Sequence, residues 1–167
     1  MIKIYFDSSA YVKLFKQEPG TESASLLFRL AHDKRIQILM SYWTINETSA
    51  AIDRTHRRGE ISDENYPIIR ATLLKNLILY GDQGSNVGIV PLHNSILRNS
   101  IDVINQFHVS ADNTLHLYTA FAVNCNYFLC DDYKLLNKTG GEISNMKVLS
   151  IVDPLAMNKL TKELDTN

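Results

Sequence analysis

Residues 4–15 read IYFDSSAYVKLF, and this stretch decides the fold class. An apolar run, IKIYF at 2–6, is cut by Asp7, two serines follow, and a helical pattern starts at once. The run does not alternate between apolar and polar residues, which suits a strand covered on both faces of a parallel sheet. In open α/β sheets the functional crevice lies beyond the carboxyl ends of the strands. Asp7 stands at such an end. Taken alone it is also a good helix cap, as are Ser8 and Ser9.

The same pattern recurs along the chain. Short apolar runs stand at 36–40 (IQILM), 87–91 (VGIVP), 127–130 (YFLC) and 146–152 (MKVLSIV). Between them lie helical patterns at 9–17, 21–32, 44–58, 62–80, 94–108 and 110–124, with a short turn of helix in DYKLLNK at 132–138. Ser62 reads as the N-cap of its helix and Gly81 as the stop, with Pro67 marking a kink or a later start. Strands alternating with helices imply right-handed crossovers and a mostly parallel sheet. The glycine-rich GDQGSNVG at 81–88 lacks a phosphate-loop lysine and reads as a loop. Residues 1–154 form one domain, and 155–167 form a dispensable-looking tail or short helix.

Composition narrows the function. The chain has 167 residues, 45% hydrophobic and 21% charged, with 17 basic and 18 acidic side chains and a net charge of -1. That is globular composition with no overall basic character, so nucleic-acid binding must rest on a local patch. The two cysteines, Cys125 and Cys130, lie in or beside apolar runs and read as buried free thiols. No signal-peptide pattern opens the chain, and no apolar stretch approaches the roughly 20 residues of a membrane span, so a soluble, cytoplasmic protein is expected.

Four acids stand out. Asp7 and Asp132 each follow an apolar strand directly. Glu47 lies on the small apolar face of its helix, and Asp112 sits in the first turn of a helix that continues strongly apolar. Clustered carboxylates need a positive partner to stay ionised. A hard divalent cation, Mg²⁺ or Mn²⁺, is the natural one, and with it comes phosphodiester hydrolysis by an activated water. Singly, each acid has a plainer reading as a cap, a turn residue or a solvated helix position.

IYFDSSAYVKLF, TINETSAAIDR, SADNTLHLYTAFA and YFLCDDYKLL, in that order, resemble the four acidic motifs of the PIN-domain family, with the VapC-type toxin ribonucleases the nearest likeness. The resemblance runs over residues 2–154. It implies a three-layer α/β fold around a central five-stranded parallel sheet of order 3-2-1-4-5, which makes the first and fourth strands neighbours. It also implies a metal-dependent endoribonuclease, the toxin of a toxin–antitoxin pair, acting on RNA, held by a cognate antitoxin and assembled as a homodimer. Asp7, Glu47, Asp112 and Asp132 match the family's catalytic, Mg²⁺- or Mn²⁺-binding acids, Ser8 the small hydroxyl residue supporting the first, and Arg54 a frequent arginine on the second motif's helix. The chain departs from the pattern at Cys130, usually threonine or serine, and at Asn113, usually alanine. Asp131 raises the question of which adjacent acid faces the site; the register of FLC favours Asp132.

The densest positive cluster is RTHRR at 54–58, where Arg54, Arg57 and Arg58 either solvate a helix end or contact RNA phosphates. His116, one turn after Asp112, reads first as a packing residue. Other functions fit less well. A receiver-like domain would need an acid after the third strand, which ends VPLHN, and an aspartyl phosphatase a second acid where Ser9 stands. A catalytically silent PIN-like binding or scaffold module remains the alternative.

Overall fold

In a computed structural model describing residues 1–81 and 86–165, β1 (Lys3–Phe6) shows why the opening run does not alternate. Ile4 and Phe6 enter one core, and Tyr5, on the other face of the sheet, enters a second. After Asp7 the chain makes α1 (Ser8–Tyr11) and tightens into a 3₁₀ turn, Val12–Leu14. It turns through Gly20, whose φ of 96° favours glycine, into α2 (Thr21–His32). β2 (Gln37–Ser41), α3 (Tyr42–Arg57), α4 (Asn65–Gly81) and β3 (Val87–Val90) follow, then α5 (Asn94–Phe107), α6 (Ala111–Ala122), β4 (Tyr127–Cys130), α7 (Tyr133–Thr139), β5 (Glu142–Ile143), β6 (Met146–Ser150) and α8 (Pro154–Asp165).

The sheet has the order β3-β2-β1-β4-β6-β5. The five strands expected from the apolar runs are parallel and in the expected order, with β1 between β2 and β4. β5 is an addition: a two-residue edge strand pairing antiparallel with β6 across a tight turn in which Ser144 takes a φ of 53°. Two residues are too few to carry a period. α1, α2, α4 and α8 pack on one face of the sheet, and α5, α6 and α7 on the other.

Two helix ends differ from their sequence reading. The first helix ends at Leu14 rather than reaching Gln17. α4 starts at Asn65; Ser62 Oγ accepts the Asn65 N–H at 3.2 Å. Pro67 therefore falls in the first turn, where its missing N–H costs nothing, and it marks the later start. The C-terminal segment is helical over Pro154–Asp165 and buries Met157, Leu160 and Leu164. Positions 82–85 of the glycine-rich stretch lie outside the described residues. Cys125 and Cys130 are buried free thiols, and burial pushes Cys125 up to about 12. No helix among the described residues is long and apolar enough to cross a membrane.

Candidate active site

Asp7 is placed by the strand it ends. Its N–H donates to the Leu129 carbonyl of β4 at 3.1 Å, tying together the ends of the two central strands. Its Oδ1 accepts the Ala10 N–H at 2.8 Å and the Ser9 hydroxyl at 2.7 Å, so Asp7 does cap α1. A cap does not require burial, however, and Asp7 is only 3% exposed. Burial pushes its carboxyl up to about 6, against the pull of His116, Ser9 and Ala10 and with a smaller push from Glu47. This is a buried acid short of positive charge.

Glu47 reaches the same place from α3, whose start is set by a reciprocal Ser41–Thr44 capping box. His116 Nε2 lies 2.6 Å from Glu47 Oε2, and His116 Nδ1 lies 3.0 Å from the Tyr5 hydroxyl. Tyr5 is fully buried and stacks on Phe128 with ring centroids 5.5 Å apart. Burial alone would raise Glu47, but the bond and charge of His116, helped by the Ser8 hydroxyl, hold it below the usual carboxylate range. His116 is buried, as its packing reading required, yet its ring also aims the second acid. His116→Ala is expected to cost about 2–3 kcal/mol in urea unfolding, because it leaves the Tyr5 hydroxyl only a long contact to Thr44 Oγ1 at 3.5 Å and strands one side of Glu47. Adding Tyr5→Phe should recover part of that loss, since no buried hydroxyl is then left with so weak a partner.

Glu47, Asp112 and Asp131 line one open groove of about 560 Å³ together with Ser8, Lys13 and Arg54. A larger cleft of about 750 Å³ between α2 and α8 contains none of the four acids. Asp112 is exposed in the first turn of α6. The lining includes neither Asp7 nor, on the turn after β4, Asp132. Asp132 Oδ1 accepts the Lys134 and Leu135 N–H groups at the start of α7, and its Oδ2 accepts the Asn113 side-chain amide at 2.9 Å. Arg54 stands at the groove, whereas Arg57 pairs with Asp53 at 2.9 Å and Arg58 ends α3, exposed.

Solved structures decide the fold. The crystal structure of PAE2754 from Pyrobaculum aerophilum matches with a TM-score of 0.64 and 14% identity over 99% of this chain and 97% of that one. The chain has the PIN-domain fold. VapC20 of Mycobacterium tuberculosis, a sarcin-ricin loop cleaving toxin, matches with a TM-score of 0.58 and 11% identity over 86% of this chain and 98% of that one. VapBC2 of Rickettsia felis, bound to a DNA fragment from its promoter, matches with a TM-score of 0.55 and 14% identity over 89% and 98%. No protein-family model matches the sequence, and no curated protein does.

Within the PIN fold, two residues at the acidic edge gain roles that sequence reading had not given them. Asn113, noted only as a departure, bridges α6 to the β4–α7 turn through Asp132. Lys13, six residues beyond Asp7, is 5% exposed and carries an ion pair to Asp131. A lysine in a helical pattern gives no sign of burial, so only its neighbours reveal it. As for a metal, among the described residues no group of three or more His, Cys, Asp or Glu side chains forms a ready-made ligand set. The donors fit a different kind of site. Asp7 is a buried carboxyl whose described side-chain hydrogen bonds all end on Oδ1, and the neighbouring candidate donors Glu47 and Asp112 are also carboxylates. That suits Mg²⁺, which keeps most of its waters and takes one or two carboxylates.

Proposed function

We propose that this chain is a Mg²⁺- or Mn²⁺-dependent endoribonuclease acting on RNA in the cytoplasm, the toxin of a toxin–antitoxin pair. The observation that carries the reading is Asp7, a buried carboxyl with no lysine or arginine paired to it among the described residues, beside a groove lined by Glu47 and Asp112. Asp7, Glu47, Asp112 and Asp132 would hold the ion, which when bound supplies an acidified water and charge stabilisation at a phosphoryl oxygen. The chain's own part is to place the charges. Asp7 is clamped by Ser9 and Ala10, Glu47 is aimed by His116, and Asp132 is fixed by Asn113 and the first turn of α7. Arg54 at the groove, with Arg57 and Arg58 further along α3, offers positive charge to the RNA backbone.

Partners follow from the same surface. A toxin–antitoxin complex from Klebsiella pneumoniae matches with a TM-score of 0.57 at 14% identity, and it supports a cognate antitoxin here. An antitoxin arginine forked onto Asp7 and Asp112 would pair with carboxylates that otherwise repel. On α4, Ile68, Leu74, Ile78 and Leu79 are exposed apolar side chains, and they favour a homodimer contact through that helix.

The deciding experiment is cleavage of an RNA pool with and without Mg²⁺. Wild type is expected to cleave only with the ion, and Glu47→Gln to lose about a hundredfold in rate while melting normally, because a ligand's support is lost but His116 keeps an acceptor. A second reading, a silent PIN-like scaffold, is favoured by the lack of a ready-made ligand set among the described residues. It would be the right one if RNA survived intact in both ions.

A further inference from the structure

The ammonium of Lys13 lies inside the acidic groove. Its Nζ is 2.6 Å from Asp131 Oδ2 and 3.0 Å from Glu18 Oε1, and the lysine side chain is 6% exposed. An ammonium withdrawn this far from water is stable only with well-placed anions around it. Glu18 and Asp131 are those anions, and both are on the groove. The backbone of Asp131 stands one hydroxyl away from Asp7: its N–H donates to Ser9 Oγ at 2.6 Å, and Ser9 Oγ donates to Asp7 Oδ1. Its side chain nevertheless points to Lys13. The acids in and beside the groove thus fall into two sets. Glu18 and Asp131 are already neutralised from within, whereas Asp7, Glu47 and Asp112 receive no ion pair from a lysine or arginine among the described residues.

We propose that Lys13 is a built-in cation that divides these acids, so that the groove takes up a single divalent ion on the Asp7 side and Asp131 is not among its ligands. Two positive centres a few ångströms apart repel strongly where water is scarce, so the ammonium bars a second ion from its own side of the groove. Lys13 is a positioning residue in this arrangement and touches neither water nucleophile nor substrate. The division also answers why two adjacent aspartates follow β4. One serves the lysine, and the other is held by Asn113 and α7. This inference rests on the nuclease reading for its first set of acids, but not for its second.

The test is Mn²⁺ titration of the full chain by calorimetry and by the paramagnetic resonance of free Mn²⁺, with thermal melts of each variant. Wild type is expected to bind about one ion, and Asp131→Asn to hold it within about twofold of the wild-type affinity, short of the tenfold or more that loss of a metal's support brings. Lys13→Met should bind about one ion more, because Asp131 then loses its ion pair and Glu18 keeps only Lys16, 3.7 Å away. Adding Asp131→Asn to Lys13→Met should remove that extra ion. A tenfold or greater loss of affinity in Asp131→Asn would overturn the proposal, as would a folded Lys13→Met that binds no additional ion. If Lys13→Met does not fold, Asp131→Asn alone decides. Should wild type bind no Mn²⁺ while Lys13→Met does, the nuclease reading fails and the role of Lys13 stands.

Discussion

Asp7→Asn is expected to abolish metal-dependent cleavage and, at about pH 8 without divalent ions, to raise stability by about 2–3 kcal/mol. The sign follows from the carboxyl's position, moved from an ordinary 3.8 to about 6 by burial. Below 3.8 the acid is protonated in both folded and unfolded chains and costs nothing. Between 3.8 and about 6 the unfolded chain gives up its proton and the folded chain retains it, so stability falls as pH rises across that window. Above it the loss is complete. Asparagine removes the charge yet keeps an oxygen for the Ala10 N–H and the Ser9 hydroxyl. Urea melts with a chelator at about pH 3.5 and about pH 8 should therefore show no gain at the lower pH and the full gain at the higher. Saturating Mn²⁺ should narrow the difference, since only the aspartate gains a counter-ion. A variant less stable than wild type at the higher pH would mean that Asp7 already has a charge partner.

The other large effect concerns the C-terminal helix. A chain ending at residue 153 is expected to lose cooperative unfolding altogether. α8 contributes Met157, Leu160 and Leu164 to the core beneath β1 and β4, at exposures of 5%, 2% and 6%. Full burial of such side chains stabilises by about 1.5–3 kcal/mol each, so their joint loss rivals the roughly 5–15 kcal/mol that holds a domain of this size together. Arg35 adds a tie, donating to the Leu164 carbonyl at 3.2 Å and pairing with Asp165 at 3.0 Å. The measurement is a thermal melt followed by near-ultraviolet circular dichroism. A sharp transition near the wild-type temperature would show that the helix is ornamental. That outcome would match the sequence reading of a dispensable tail, which saw the polar residues of NKLTKELDTN and not the apolar stripe threaded through them.

The contrast between these two cases shows what could be read without coordinates. Runs such as IKIYF and YFLC lack alternation because Ile4 and Phe6 enter one core while Tyr5 enters the other, and Tyr127 and Leu129 are likewise opposed to Phe128 and Cys130. That is a local consequence of strand geometry, so parallel strands were legible, and with them the edge on which Asp7 and Asp132 emerge. Helix stops at proline and glycine were legible within a few residues for the same reason: they act on the backbone at their own position. The order of strands came through the likeness of four acidic motifs and not through periodicity.

Pairings between distant positions were beyond the sequence. The bond from His116 to Glu47 spans 69 positions, that from Lys13 to Asp131 spans 118, and that from Tyr5 to His116 spans 111. Nothing in the neighbours of Lys13 distinguishes a buried ammonium from a solvated one, because its burial is made by a loop carrying Glu18 and by the turn after β4. Adjacent Asp131 and Asp132 have almost the same local surroundings, yet one meets a lysine and the other an asparagine amide. Residue type and period determined which acids reach this edge of the sheet. The packing of α1, α3 and α6 around it decided which of them are already paired, since a charge's partners depend on distances that only the folded chain sets.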